Sequence, residues 1–404
     1  MKKTDICKQL CGDLTHCIKY KYIFYSTLTY GLKCSPLIAN RALKQLAKDE
    51  AANFPLGSIA LDKETYMDGV LSGDHEIHTA LAKQKEVINL CMVGGFSLRK
   101  WHSNSSTLLQ WLPQELLASE PKSLFANDSS FVVLGLNWQP SEDCFNFDVK
   151  IDQKVEQWTK RLVLSKVAKL FDPLGWIAPV IITAKIFLQK LWLLKIDWNE
   201  PLPRTEAEQW ETFYSYLPQI TSIKVPRWLG YSATMNVIQL HGFADASKST
   251  YGAVLYLRTS NKSAEKSFRV RMIQAKTRVA PLKTISIPRL ELSAAHLLAK
   301  LTNHHTKRFE SELLKIHLWT DSQDVLCWLK EHPSRWPTFV ANRCSDIHTL
   351  VPTANWRHIG TKNNPADLAS RGCLASALNN QNLWWSGSDY TENSYCFINK
   401  YCNN

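Results

Sequence analysis

Along residues 236–373 the apolar positions alternate between a period of two and a period near that of an α-helix, the signature of strands interleaved with helices. The pattern predicts strands over 237–244, 252–258 and 269–276, a helix over 288–306, a strand over 315–320 and a helix over 322–330. A helix over 338–350, a strand over 355–360 and a short helix over 365–370 complete the series. Three consecutive strands imply an antiparallel meander. The α-β-α units that follow imply a mixed five-stranded sheet flanked by helices. The helix over 288–306 carries its apolar face on Leu290, Ala294, Leu297, Leu298 and Leu301.

Upstream the texture differs, and the chain as a whole reads as α/β and α+β in four segments: 1–115, 116–235, 236–373 and 374–404. The first mixes short strands and helices. The second has a strand signal near 131–138 and a long apolar helical region over 163–192, broken at Pro173-Leu174-Gly175 into two helices with a turn. The last is rich in Asn and Ser and reads as a linker or tail, anchored at Leu383-Trp384-Trp385. Most Trp residues, Trp192 and Trp319 among them, read as core packing rather than stacking platforms.

The chain has 404 residues and is 45% hydrophobic, enough for substantial cores in two or three units. A formal net charge of +12 favours polyanionic partners, whether nucleic acid or an anionic membrane. The N-terminus lacks the apolar run of a secretory signal, and the richest apolar stretch, 175–188, is interrupted by Pro179 and Lys185. This implies a cytoplasmic or nuclear protein without a membrane partner. The 11 cysteines form no regular framework and read as free thiols. Cys7, Cys11, His16 and Cys17 cluster, but at a spacing that matches no zinc pattern.

Candidate chemistry comes from four carboxylates. Asp245 follows the first predicted strand and should project at its solvent-facing end. Glu291 lies in the first turns of the helix over 288–306, at the rim of its apolar stripe, while Asp321 closes the strand over 315–320 and Asp367 opens the last helix. Taken singly, each has an ordinary reading as a turn residue or cap, and Asp321 could cap the helix at Ser322. Together in one α/β unit they form a hard-oxygen set suited to two Mg²⁺ or Mn²⁺ ions, and two such ions cut phosphodiesters by activating water and stabilising the leaving oxygen.

Several ordered runs are familiar: Phe243-Ala244-Asp245-Ala246-Ser247, Pro288-Arg289-Leu290-Glu291-Leu292, Thr320-Asp321-Ser322 and Asn364-Pro365-Ala366-Asp367-Leu368-Ala369-Ser370-Arg371-Gly372. Residues 236–373 resemble the ribonuclease H region of BEL/Pao-type LTR retrotransposon Pol polyproteins. The resemblance implies an RNase H-like domain in which Asp245, Glu291, Asp321 and Asp367 are the metal ligands for cleaving the RNA strand of an RNA–DNA hybrid. It also implies that other Pol or Gag products are possible partners. Lys362 stands where many ribonucleases H carry a loop histidine, and the nearby His358 reads better as a sheet residue.

Thr29-Tyr30-Gly31-Leu32, Gly94-Gly95-Phe96-Ser97 and Phe171-Asp172-Pro173-Leu174-Gly175 resemble the same elements' reverse transcriptase, making 1–115 a truncated palm and 116–235 a thumb or connection. Polymerases of this kind carry Tyr-x-Asp-Asp. This chain reads Tyr66-Met67-Asp68-Gly69, which leaves Asp68 as a residual polymerase residue; Asp5 could be a remnant of the upstream palm aspartate, but the interval from Asp5 to Thr29 is short for the intervening palm strands. A depleted carboxylate set implies severely impaired DNA synthesis. The region is also grouped with Pao-type peptidases, but the chain has neither Asp-Thr-Gly nor Asp-Ser-Gly.

Lys262, Lys266, Arg269, Arg271, Lys276, Arg278, Lys283 and Arg289 form a basic stripe suited to a duplex backbone, read by groove shape rather than by base edges. The alternative is an ordinary solvated strand face. Two functional classes stand: a two-metal ribonuclease H beside a degenerate polymerase, or a non-catalytic nucleic-acid-binding remnant of the element.

Overall fold

A computed structural model describes residues 31–67, 69–118, 131–151, 155–231, 237–260, 268–309 and 314–388. Asp5, Asp68, Lys262, Lys266 and the Cys7/Cys11/His16/Cys17 group lie outside the described residues. The chain divides into two compact units, residues 1–102 with 106–118, and residues 103–105 with 119–404. Among the described residues no helix is long and apolar enough to cross a membrane.

The first unit packs α1 (Ser35–Asp49), α2 (Pro55–Lys63) and α3 (Ile77–Val93) around Ala60, Leu61, Val87 and Leu90. Strands β1 (Thr65–Tyr66) and β2 (Gly69–Val70) pair antiparallel in the connection from α2 to α3, and a short α4 (Ser106–Leu109) follows. Glu86 on α3 accepts from the backbone N–H groups of Leu56 and Gly57 at 2.8 and 2.9 Å. Its carboxylate thereby satisfies the first free donors of α2 at the positive end of that helix.

The second unit opens on a four-stranded antiparallel sheet: β3 (Phe131–Val133), β4 (Leu136–Gln139), β5 (Cys144–Asn146) and, after a helical insertion, β6 (Lys224–Pro226). The insertion holds α5 (Lys160–Ala168), α6 (Ala178–Leu193) and α7 (Arg204–Tyr216). The apolar region of 163–192 is thus two helices, broken at the Pro-Leu-Gly triplet. Asp172 accepts from Trp176 N and Ile177 N, both at 2.9 Å, and burial pushes its carboxyl up to about 6. Gly175 adopts φ +74, and a Cβ there would stand 2.0 Å from the carbonyl oxygen of Ala275. Leu174 O accepts from Ala275 N at 2.8 Å, which makes the break a clip onto the main sheet.

That sheet begins with the meander β7 (Val237–Ala246), β8 (Thr250–Ser260) and β9 (Arg269–Val279). It continues through α8 (Ile287–Thr306), β10 (Leu314–Thr320), α9 (Gln323–Lys330), α10 (Thr338–Leu350), β11 (Asn355–His358) and α11 (Ala366–Arg371). The short helices α12 (Ala375–Leu378) and α13 (Asn382–Ser386) end the described chain. Strand order is β11-β10-β7-β8-β9, with β10 parallel to both β7 and β11. This is the mixed five-stranded sheet expected from the pattern.

Because both faces of the sheet are covered, β8 is buried along almost its whole length. Ala244, Ala253 and Leu318 pack beneath α8 and α10. Phe243, Val254, Tyr256, Ala275 and Trp319 face the opposite way and share a core with Trp176, Ile177, Val180 and Phe187 from the α5–α6 region. Trp384 closes this second core: it is 1% exposed, its indole N–H donates to Trp176 O at 2.9 Å, and Tyr256 donates to its carbonyl at 2.6 Å.

One expected core residue is on the surface. Trp192 is 54% exposed, because the buried stripe of α6 runs through Val180, Ala184, Phe187 and Leu191 and leaves it one position off. Its ring instead lies 5.2 Å from the Lys160 ammonium and 5.2 Å from the Trp198 ring.

Candidate active site

The parallel register of β10 on β7 pairs Thr320 with Ala244, so the next residue of each strand, Asp321 and Asp245, emerges side by side at the same sheet end. Adjacent strands lie ~4.8 Å apart, which brings the two carboxylates together through backbone geometry alone. The third comes from the first turns of α8, where Glu291 reaches back so that its Oε1 accepts from Ala246 N at 3.2 Å. One carboxylate oxygen from each of Asp245, Glu291 and Asp321 falls within 4.8 Å of the others.

One of these placements differs from the sequence reading, and one alternative reading falls away. β7 runs two residues past the expected end at 244, so Asp245 sits inside the strand and is only 4% exposed, not displayed at a solvent-facing end. The cap of α9 is Ser322, whose hydroxyl accepts from Val325 N, so Asp321 has no capping duty.

Each of the three carboxylates has one oxygen held by a neutral donor. Ser370 Oγ donates to Asp245 Oδ2, Thr361 Oγ1 donates to Asp321 Oδ2 at 2.8 Å, and Ala246 N serves Glu291. Glu291 Oε2 and Asp321 Oδ1 are buried without a hydrogen-bond partner, and Glu291 as a whole is 7% exposed. Buried acceptors left unpaired are costly. A hard divalent cation would satisfy both at once, so this donor set fits Mg²⁺ or Mn²⁺.

Asp367 stands in the first turn of α11, outside the group of three, with Oδ1 2.7 Å from Arg371 Nε. Burial raises its carboxyl, against the lowering effect of Arg371. Burial likewise pushes Glu291 up to about 9, reinforced by the negative charges of Asp245, Asp321 and Asp367. Asp245 rises to about 7, chiefly by burial, with the Ser370 hydroxyl pulling the other way.

These directions carry a pH signature. The ordinary carboxylate values are 4.5 for Glu291 and 3.8 for Asp245, so the metal-free folded chain binds more protons than the unfolded chain above those values. Their contribution to stability is fully present at low pH and is lost as pH rises through the raised folded values. In EDTA, native chain and Glu291→Gln should converge in melting temperature near pH ~5 and diverge by pH ~9, with the variant the more stable. Parallel pH profiles for the two proteins would dismiss the argument. Mg²⁺ should reverse the loss at high pH while releasing protons.

The cleft over the cluster has a volume of about 290 Å³ and is lined by Ile287, Pro288, Glu291, Asp321, Ser322, Gln323 and Asp324. Sequence reasoning passed over Asp324, and also Thr361, Asn364 and Ser370. Asn364 is fully buried, donating to Ala244 O at 3.1 Å and accepting from Ala366 N at 3.1 Å, and so fixes α11 to β7 next to Asp245. Within the sequence, its place in the Asn364–Gly372 run was the available signal.

The basic residues do not converge. Lys276 and Arg278 are exposed on β9 and flank Thr277, which shares a rung with Gly252 and, one strand further, Asp245. Lys283 is exposed in the following loop, and Arg289 lies at the start of α8 with its guanidinium 5.3 Å from the Phe339 ring. Arg269 and Arg271 pair with Thr259 and Leu257 at the other end of the strand, and Arg269 packs 4.6 Å from the Trp228 ring. With ~3.3 Å per residue, Arg269 stands ~20 Å from Lys276. Lys362 is exposed beside Thr361, and His358 ends β11, also exposed.

Residues 159–322 match the family described as the Pao retrotransposon-like RNaseH-like domain, so a retroelement-type RNase H-like domain includes this stretch. The match takes in α5 to α7 as well as β7 to β10, with Asp245, Glu291 and Asp321, and stops before Asp367. Similar solved structures include the N-terminal RNase H domain of Rv2228c from Mycobacterium tuberculosis, a maltose-binding-protein fusion, at 12% identity and TM-score 0.24 over 33% of this chain and 91% of that one. LC11-RNase H1 in complex with an RNA/DNA hybrid is 10% identical, TM-score 0.24, over 35% of this chain and 99% of that one. The foamy viral protease-reverse transcriptase dRH in complex with double-stranded DNA is 15% identical, TM-score 0.45, over 80% of this chain and 49% of that chain. This chain therefore spans about half the length of the foamy viral protein. No curated protein matches the chain.

Proposed function

We propose that the chain is a retroelement Pol fragment, of BEL/Pao type, with metal-dependent ribonuclease H activity on the RNA strand of RNA–DNA hybrids. The observation that carries this reading is the convergence of Asp245, Glu291 and Asp321 from three separate elements, with two buried oxygens unpaired and neutral donors on the others. Bound there, a pair of Mg²⁺ or Mn²⁺ ions supplies the activated water and the charge stabilisation that phosphodiester hydrolysis requires. Asp245, Glu291 and Asp321 would hold the cations, with Asp367 as the fourth carboxylate of the set. The cleft between the starts of α8 and α9 is walled by Glu291 and Asp321 and gives a sugar–phosphate backbone a place to lie beside the cluster. Lys276 and Arg278, exposed on β9 on either side of the Asp245 rung, bind flanking phosphates of the duplex. Arg269, Arg271, Lys283 and Arg289 extend that contact along the substrate.

In the same reading, polymerase activity is lost, because Gly69 occupies the place of the second carboxylate beside Asp68. The protein acts in the cytoplasm or nucleus, with other Pol or Gag products as possible partners. The ion pair between Arg371 and Asp367 favours a second reading, a non-catalytic remnant that binds nucleic acid with its fourth carboxylate disengaged. Incubation of the full chain with an end-labelled RNA–DNA hybrid and Mg²⁺ or Mn²⁺ decides between them. RNA-strand cleavage blocked by EDTA, with DNA duplex left intact, is the expected result. A chain that retains the hybrid in a mobility shift without cutting it is the remnant.

A further inference from the structure

We propose that Ser370 is a positioning residue of this site, setting the orientation of the Asp245 carboxylate and tying it to the helix that carries Asp367. The inference rests on the nuclease reading and deepens it. Ser370 is fully buried on α11, three residues after Asp367. Its hydroxyl donates to Asp245 Oδ2. Its carbonyl accepts from the hydroxyls of Thr250 and Ser247, the latter at 2.9 Å. A single residue therefore joins β7, the turn into β8, and α11.

A helical serine ordinarily returns its hydroxyl to a carbonyl one turn back. That option is within reach, since Asp367 O lies 3.1 Å away. A carboxylate is the stronger acceptor, and the single hydroxyl proton goes to Asp245. The close approach is built into the sheet: Gly252, the β8 partner of Asp245, leaves room for Ala369, whose Cβ would lie 2.8 Å from any Cβ at position 252. α11 thereby sits low enough for Ser370 to reach the strand. Without the hydroxyl, Asp245 Oδ2 loses its hydrogen-bond donor on α11, and the carboxylate is free to turn away from the shared position.

The test is calorimetric titration of Mn²⁺ into the native full chain, Ser370→Ala and Ser370→Cys, alongside melting temperatures in EDTA. Loss of a partner that orients a metal ligand costs about 10- to 100-fold in affinity, so S370A should bind at least ~10-fold more weakly, with S370C in between because a thiol is a weak donor. Both variants binding within about twofold of native, whatever their melting temperatures, overturns the positioning role and leaves the nuclease reading intact. A native chain that binds no Mn²⁺ overturns both. Should S370A fail to melt cooperatively, S370C decides by the same criterion.

Discussion

Asp245→Asn and Asp321→Asn should each lower RNA-strand cleavage by on the order of 10³-fold, about 4 kcal/mol of transition-state stabilisation, while raising the metal-free stability of the chain. The opposite signs follow from one cause. Asp245 and Glu291 are buried and pay desolvation, and the charge of the half-buried Asp321 works against both, so neutralising Asp245 or Asp321 relieves the folded state. The amide keeps the shape and an acceptor oxygen for Ser370 or Thr361, so the local hydrogen bonds survive. What disappears is the charge that holds a cation. Initial rates on a labelled hybrid and urea midpoints in EDTA measure the two quantities on the same preparations. Cleavage within about tenfold of native in both variants would remove these residues from the site, and activity lost together with stability would trace the loss to folding. Asp367→Asn should cost less, about tenfold, because its carboxylate is engaged by Arg371 outside the group of three.

The arrangement that makes this experiment possible was partly legible in the chain. Strand ends and helix starts can be read from hydrophobic period, and Asp321 falls where a strand stops, so its role in closing β10 was visible. Asp245 was placed one step wrong, because Ala244-Asp245-Ala246 continues the ladder through pairing with β8 and not through any apolar signal of its own. Whether Asp321 caps α9 could not be read from the pattern, since Ser322 beside it is an equally good cap and only the structure shows which side chain accepts from Val325 N. Strands β5 and β6, at three residues each, are too short to express a period, and their pairing is set by the contact between distant segments. The hydroxyls of Thr361 and Ser370 belong to the same class of tertiary fact: each is an ordinary small polar residue until the fold puts a carboxylate within reach.

A fragment beginning at residue 236, where the alternating strand and helix pattern starts, should fail to unfold cooperatively, whereas residues 119–404 should give a single sharp transition. The reason lies on the face of the sheet away from α8. Phe243, Val254, Tyr256, Ala275 and Trp319 are at most 7% exposed there, and much of their cover comes from Trp176, Ile177, Val180 and Phe187, which the fragment lacks. Uncovering five such side chains forfeits on the order of 10 kcal/mol, comparable with the entire stability of an ordinary domain. The same deletion removes the supports of α11: Cys373 N donates to Pro179 O at 3.1 Å, and Gly372 packs so closely that a Cβ would stand 2.4 Å from Thr183 Oγ1. Losing α6 therefore strips one side of the helix that carries Asp367 and Ser370, leaving only its contacts to β7 and the turn into β8 to hold the site. Gly175→Ala in the intact chain isolates the clip on β9, since the left-handed φ and the Ala275 carbonyl both oppose a side chain, and it should lower the urea midpoint while retaining a cooperative transition. Equal midpoints for G175A and native chain, or a cooperative fragment from 236 onward with native Mn²⁺ affinity, would show that the sheet holds its site without the preceding helices.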